Sequence, residues 1–127
     1  MLKRCPEAGI AWKALSMSLQ MSGKNDMESL QKATEFLPDD ADVHNNLGCA
    51  YRNCGQFNNS LSSHRRSLEI NPDYAEAHNN LGITLKELGL LDESVDSYRR
   101  AIELKPDFSL AHSNLLFGLS QIGRAHV

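Results

Sequence analysis

The sequence predicts an all-α fold, an α-solenoid of stacked helical hairpins, and three observations support this. Residues 41–74 and 75–108 match at 14 of 34 positions without a gap. Glycine and proline hold the same positions in both copies. Apolar residues recur at the helical period of about 3.6 positions. A fixed period of this length, with glycine and proline in constant register, is typical of stacked repeats and not of one closed core.

Helix boundaries follow from the same positions. In the later copy an apolar stripe ends at Gly89, where a left-handed glycine can terminate a helix. Asp92 is a candidate N-cap of the next helix, which ends before Pro106. Gly48 and Gly82 fall in mid-helix, where each costs about 0.5–1 kcal/mol relative to alanine. This repeated cost predicts that a neighbouring helix approaches closely at both glycines.

The repeat period divides the chain into consecutive segments. The regular copies are preceded by a run with helical apolar spacing that leads to Pro38. The predicted segments are a frayed N-terminus (1–8), an irregular first repeat (about 9–38), two regular repeats (41–74 and 75–108) and a lone helix (109–121). Together, residues 9–121 are predicted to form one repeat domain.

The last six residues are a candidate non-native tail. Residues 122–127 can be encoded by ATC GGA AGA GCA CAC GT, the opening of a widely used sequencing adapter. We therefore predict that they are a read-through artefact and that the natural chain continues beyond Gln121. Recovery of the same codons from genomic DNA with a different library would contradict this.

Composition limits the partners and the compartment. The formal net charge of −3 offers no basic field for nucleic acid and no polybasic footprint for a membrane surface. Three cysteines, an odd number without paired spacing, favour a reducing compartment. The sequence has no apolar run of about 18 residues and no signal-peptide core. We expect a cytoplasmic protein that binds neither nucleic acid nor membrane.

The residue order within each copy resembles the tetratricopeptide repeat. Leu81-Gly82 is followed by a large residue three positions on, a turn glycine, a small residue, an aromatic residue, alanine or serine, and proline. This resemblance covers about residues 9–121. It implies a right-handed stack of helix–turn–helix units with a groove lined by the first helix of each. The sequence departs from the family pattern at His44, His78 and His112, where the family often has tryptophan or another large residue.

A narrower resemblance lies in the C-terminal part. The run KPDFSLAHSNLLF, residues 105–117, is similar to a junction in bacterial proteins of the O-linked N-acetylglucosamine transferase (SPINDLY-like) family. At that junction the last repeats enter the glycosyltransferase domain. Leu116 stands one period after Gly82, so the helix leaves the repeat pattern there. Several residues make it apolar for a terminal cap: Leu110, Leu115, Leu116, Phe117 and Leu119.

Three asparagines are the leading candidates for binding. Asn46, Asn80 and Asn114 recur every 34 residues, and helices packed about 8–10 Å apart would arrange them as a ladder. An asparagine offers both a donor and an acceptor, so such a ladder can hold an extended backbone without reading its sequence. In the transferase family that the chain resembles, the matching asparagines line the inner groove and hold peptide. The alternative is that they brace adjacent helices.

Other first-helix residues are expected to line the same groove: Asn45, Asn79, Cys49, Ile83, Arg52, Lys86, Asn53 and Glu87. A zinc site at the repeated histidines fails on distance, because zinc ligands lie about 2.0–2.3 Å from one ion and neighbouring histidines about 10 Å apart. We expect the three histidines to pack against neighbouring residues or to lie at the edge of the groove. The sequence shows no phosphate loop, nucleophile elbow or acid–base pair, so we expect no cofactor, no metal and no catalysis.

The sequence thus predicts a protein–protein interaction module that binds an extended peptide or partner segment. The alternative from another class is the substrate-recruiting part of an O-GlcNAc-transferase-like glycosyltransferase whose catalytic domain is absent from this chain. A third interpretation is self-association through the terminal helix, whose apolar residues would then be covered by another copy.

Overall fold

The computed structural model describes Lys13 and residues 27–125, and this part of the chain forms six helices without a strand. The helices are α1 (Met27–Phe36), α2 (Ala41–Asn53), α3 (Phe57–Ile70), α4 (Ala75–Glu87), α5 (Leu91–Leu104) and α6 (Ser109–Ala125). The predicted all-α class and both regular hairpins, α2/α3 and α4/α5, are confirmed. Helix α6 runs past its predicted end at residue 121. The predictions for residues 1–12 and 14–26, among them the first helix of the irregular repeat, lie outside the described residues.

The helices stack in sequence order. Each helix packs on the one before it, and the first helices α2, α4 and α6 also contact one another across consecutive repeats. The interior is filled by small and aliphatic side chains, such as Leu30, Leu47, Ala77, Leu85 and Ala101. Because these side chains are short, the helices can approach closely, which suits a chain that is only 6% aromatic.

The two mid-helix glycines lie where the predicted close approach occurs. A Cβ built on Gly48 would lie 2.7 Å from the His64 ring, and one on Gly82 would lie 2.6 Å from the Tyr98 ring. Each ring belongs to the second helix of the same hairpin, so the ring lies directly on the first-helix backbone. Next to it, Ser94 Oγ donates to the Gly82 carbonyl oxygen at 2.7 Å. A small residue on the second helix is therefore required as well.

Helix α6 makes its close contact at a different residue. Leu116 stands one period after Gly82 but is 70% exposed. Gly118 is buried instead, and its Cβ would lie 3.2 Å from Val95 Cγ2 on α5. The helix thus turns its glycine towards the preceding repeat and leaves Leu116 on the open end of the stack.

The turns between paired helices depend on the predicted left-handed glycines. Gly55 has a φ of 78° and Gly89 a φ of 80°, the positive-φ region that only glycine adopts without strain. The prediction of Asp92 as an N-cap was wrong. The turn at Gly89 leads directly into the helix, so the cap position falls on Leu90 and α5 begins at Leu91. Asp92 lies in the first turn, where its negative charge stabilises the helix by interacting with the positive end of the helix dipole.

The three repeated histidines bind the turn that precedes their own helix. Nε2 of His44, His78 and His112 lies 2.8, 2.9 and 2.8 Å from the carbonyl oxygens of Pro38, Pro72 and Pro106. A carbonyl oxygen only accepts, so Nε2 carries the proton in all three rings. The histidines therefore fasten each loop to the first helix that follows it, a specific form of the packing role expected from the sequence.

In the part of the chain that the structure describes, no helix combines the length and the apolar character needed to cross a bilayer.

We predict that Gly82→Ala destabilises the fold by about 1–3 kcal/mol, because the new methyl group overpacks against the Tyr98 ring. Ser62→Ala is the control: it also places an alanine within a helix, at an exposed position of α3. The control should be neutral or should stabilise by up to about 1 kcal/mol through helix propensity. Urea denaturation of both variants measures the difference. Equal stabilities would contradict the close-approach role of Gly82.

Candidate functional site

Four rows of residues, each repeated with a 34-residue period, form one surface along α2, α4 and α6. On each helix they are spaced at i, i+4, i+7 and i+11, which places them on one face. We call this the first-helix surface: Asp42, Asn46, Cys49 and Asn53 on α2; Glu76, Asn80, Ile83 and Glu87 on α4; Leu110, Asn114, Phe117 and Gln121 on α6. Since α4 contacts both α2 and α6, the rows run across the repeats as well as along each helix.

Asn45 and Asn79 do not lie on this surface, and their prediction as groove-lining residues was wrong. Asn45 is 5% exposed and Asn79 is 1% exposed. Both point into the junction between consecutive repeats. A buried amide must satisfy its hydrogen bonds within the protein, so these two residues hold the structure together.

The buried amides bind the predicted ladder residues of the following repeat. Asn80 Nδ2 donates to Asn45 Oδ1 at 3.1 Å, and Asn114 Nδ2 donates to Asn79 Oδ1 at 3.0 Å. Asn80 and Asn114 are half-buried, as is their equivalent Asn46. Asn80 and Asn114 therefore brace adjacent repeats, as the alternative interpretation expected. Part of each amide nevertheless stays on the surface.

His64 completes the network at the first junction. Its Nδ1 lies 3.1 Å from Asn45 Oδ1, which already accepts from Asn80. The oxygen can only accept, so Nδ1 carries the proton and Nε2 is a bare lone pair. Within the described residues this Nε2 is buried without a hydrogen-bond partner. Burial of the ring, together with the nearby positive charge of Arg52, lowers the pKa of His64 from 6.5 to about 3.

Two cations lie where successive first helices meet. Arg52 Nη1 donates to the backbone oxygen of Asn80 at 3.4 Å. The Lys86 Nζ lies 5.3 Å from the centroid of the Phe117 ring, within the range of a cation–π contact. Each side chain reaches from its own repeat to the next, and both are half-buried.

The remaining predicted residues differ in exposure. Ile83 and Cys49 are half-buried, and burial raises the pKa of the Cys49 thiol. Asn53 and Glu87 are exposed at the C-terminal ends of their helices. Cys49 thus packs as a neutral side chain beside Asn46, and the two exposed residues stand at one rim of the surface.

The sequence-based site omitted Leu110 and Phe117, although the repeat period contains the signal for both. They stand one period after Glu76 and Ile83, and the structure exposes them on the first-helix surface. The period also separates the apolar residues of α6 into two faces. Leu110 and Phe117 face the surface, whereas Leu116 and Leu119 face the side on which α2 and α4 carry their second helices.

Three models of this repeat match the chain. Two described as "Tetratricopeptide repeat" match residues 75–108 and 29–61, and one described as "TPR repeat" matches residues 48–89. The chain belongs to the tetratricopeptide repeat (TPR) family. No curated protein matches the sequence.

Solved TPR structures share the fold. A mutant of the O-GlcNAc transferase of Thermobaculum terrenum is 27% identical with a TM-score of 0.86, over 94% of this chain and 23% of that one. The present chain thus spans about a quarter of the transferase. The first TPR domain of Spaghetti (RPAP3), bound to an HSP90 peptide, is 20% identical with a TM-score of 0.89 over 97% and 99% of the two chains. The second TPR domain of human RPAP3, in complex with an HSP70 peptide, is 18% identical with a TM-score of 0.82 over 90% and 98%.

The α2 end of the first-helix surface carries a partly buried tyrosine–carboxylate pair. The Tyr74 hydroxyl lies 3.5 Å from Asn45 Nδ2 and hydrogen-bonds the Asp42 carboxylate. This bond, supported by the Lys13 ammonium at 3.3 Å from Asp42, lowers the pKa of Asp42. Burial and the same carboxylate raise the pKa of Tyr74. Asp42 is therefore engaged by its own chain, although it shares Lys13 with Asp40, which lies 2.8 Å from the same ammonium.

Among the described residues, no group of three or more histidine, cysteine or acidic side chains is placed to hold a metal ion.

We predict that acid destabilises the protein through His64. Below pH 6.5 the unfolded chain takes up a proton at this ring, whereas the folded protein does not until about pH 3. Over that window the free energy of unfolding falls as the pH falls, by at most about 1.4 kcal/mol per pH unit. His64→Tyr copies the equivalent Tyr98 of the next repeat and removes the group.

Urea denaturation at several pH values between 7.5 and 4 measures this effect. The wild type should lose stability faster than the variant as the pH falls, because every other titrating group is common to both. Parallel pH dependences would show that the folded protein accepts a proton on His64.

Proposed function

We propose that this TPR chain is a protein-interaction module that binds an extended segment of a partner along the first-helix surface. The observation that carries the proposal is the pair of half-exposed amides, Asn80 and Asn114, held at the same register on consecutive helices. The peptides bound to TPR domains of similar fold support it. Enzymatic activity is not part of the proposal for these residues.

The bracing bonds determine what the amides offer. Asn80 and Asn114 each use an Nδ2 hydrogen towards the preceding repeat, which fixes the plane and the orientation of the amide. Since an asparagine amide has two donor hydrogens and two acceptor lone pairs, one hydrogen and the carbonyl oxygen remain for a ligand. An extended backbone presents the complementary groups, N–H and C=O, in alternation. Pre-set amides lose little conformational freedom on binding.

We predict that replacing Asn46, Asn80 and Asn114 together by alanine weakens partner capture at least tenfold, which corresponds to about 1.4 kcal/mol. The measurement is a quantitative pull-down with the purified protein as bait. Asn58, Asn59 and Asn71 are exposed asparagines outside the first-helix surface, and their triple alanine variant is the matched control. Circular dichroism melts confirm that both variants are folded. Undiminished capture by the first variant would move the binding site elsewhere.

A second candidate function is that of a substrate-recruiting segment of an O-GlcNAc-transferase-like enzyme. The structural likeness to the transferase of Thermobaculum terrenum, at 27% identity, favours it, as does the residue pattern of 105–117. A coding sequence that continues past Gln121 into a sugar-nucleotide-binding α/β region would establish it, and a stop codon there would refute it. Both candidates are compatible with the cytoplasmic location that the cysteine content favours.

Self-association through α6 is the remaining proposal. Leu116 and Leu119 are 70% and 40% exposed on the open end of the stack, and residues 109–123 contain no charged side chain. A two-fold contact brings each patch against its own copy, so an uncharged patch incurs no like-charge repulsion there.

We predict a dimer that Leu116→Lys/Leu119→Lys converts to a monomer, because four lysines would then face one another across the two-fold axis. Light scattering after size-exclusion, over a concentration series, measures the mass. Phe117→Ser is the control, since Phe117 lies on the other face of α6 and its loss should leave the mass unchanged. A wild type that stays monomeric at every concentration would refute the proposal.

A further inference from the structure

The first-helix surface changes character along the stack. At the α2 end its rows begin with Asp42, Asn46 and Cys49, whereas the same rows end on α6 with Leu110, Asn114 and Phe117. Phe117 is 52% exposed and Leu110 is 56% exposed. Ile83, the residue one period before Phe117, is half-buried on the adjacent helix. Polar amides therefore lie beside an apolar area at one end only.

These apolar side chains are not explained by packing within the described chain. Leu116 and Leu119 belong to the opposite face of α6, so the area formed by Ile83, Leu110 and Phe117 is separate from the self-association patch. The Lys86 ammonium lies 5.3 Å from the centroid of the Phe117 ring, a cation–π contact that favours this position of the ring. A ligand that only presented its backbone to the asparagines would leave this area in water.

The charges near the apolar area are unbalanced. Lys13 lies 3.3 Å from Asp42 and 2.8 Å from Asp40, so it is shared by two carboxylates, and Lys105 lies 3.2 Å from Glu76. Among the described residues, Arg52 and Lys86 have no carboxylate in ion-pair contact, although Arg66 and Arg100 on the second helices each have two. Among the carboxylates of the first-helix surface, only Glu87 has no ion-pair partner within the described residues. Two uncompensated cations against one carboxylate favour a ligand with negative charge.

We propose that the α6 end of the surface is a side-chain subsite for a bulky apolar residue flanked by acidic residues, within an extended segment of a partner. The apolar side chain lies against Ile83, Leu110 and Phe117. The flanking carboxylates lie near Lys86 and Arg52, and the asparagines hold the backbone. This rests on the proposed peptide binding and adds to it a sequence preference that amides alone cannot supply, since amides read only the backbone.

The test uses four fluorescein-labelled nine-residue peptides on a glycine–serine host. Their central residue is leucine or serine, and its neighbours are two aspartates or two lysines. Fluorescence anisotropy gives the affinity of each for the full chain. We expect the leucine–aspartate peptide to bind at least about tenfold more tightly than the serine–aspartate peptide, since burial of a leucine side chain supports a factor of that size. It should also bind more tightly than the leucine–lysine peptide, because the lysines of that peptide would lie near Lys86 and Arg52 and be repelled.

Two pairs of variants locate the preference. Phe117→Ser should abolish the advantage of leucine over serine, whereas Leu116→Ser, one residue away on the other face of α6, should preserve it. Lys86→Glu should invert the preference between aspartate and lysine neighbours. Arg99→Glu makes the same change in net charge at an exposed position on a second helix and should leave the order unchanged.

The outcomes separate this inference from the proposed function. If all four peptides bind equally and the Asn46/Asn80/Asn114 alanine variant loses them all, backbone binding stands and the subsite is refuted. If no peptide binds at millimolar concentration, both are refuted. If no peptide binds and Phe117→Ser instead lowers the mass of an oligomer, the surface is a contact between copies, which also overturns the subsite.

Discussion

The contact between a glycine and a ring inside each hairpin constrains the rest of the structure. Because Gly48 and Gly82 lack a Cβ, His64 and Tyr98 lie on the backbone of the opposing helix. Burial of His64 then requires a hydrogen-bond partner, which Asn45 supplies. The same Asn45 oxygen accepts from Asn80 of the following repeat. The packing of one hairpin therefore determines how a surface amide of the next one is held.

The tandem asparagines divide two tasks between them. The first of each pair, Asn45 or Asn79, is buried and accepts a bond across the repeat junction. The residue at the second position of the following repeat, Asn80 or Asn114, supplies that bond and keeps part of its amide on the first-helix surface. In the last repeat the first position is Ser113. Every contact of this kind joins immediate neighbours, as expected for a solenoid in which each repeat touches only the next. The register of the surface is thus inherited from repeat to repeat.

The sequence was sufficient for those features that depend on local pattern. The 34-residue period fixed both hairpins, the turn glycines and the close approach at Gly48 and Gly82, because each follows from backbone conformation or from a repeated small residue. Burial of Asn45 and Asn79 was not predictable in this way. Asn45 is bonded to the His64 ring, 19 positions away, and to Asn80, 35 positions away, whereas Asn79 is bonded to Asn114, also 35 positions away. Tertiary contacts of this kind leave no trace in local periodicity.

Two other features were missed for different reasons. Asp92 has the chemistry of a helix cap, but the tight turn at Gly89 starts the helix two residues earlier, so backbone geometry prevailed over side-chain preference. Phe117 was recognised as apolar but not placed on the first-helix surface, although it stands one period after Ile83. Helix α6 departs from the repeat pattern at Leu116, but the opposite face of the helix keeps the 34-residue register, and this register was not used in the prediction.

The bond from each first-helix histidine to a proline carbonyl has a geometric consequence for the whole stack. Since the same bond recurs at these three loops, each loop is fastened to its following helix in the same way, which adds one repeated constraint to the angle between successive hairpins. In a superhelix a small angular error at each step accumulates along the axis. Uniform joints of this kind favour a constant pitch, so the curvature of the first-helix surface depends on the joints as well as on the helices.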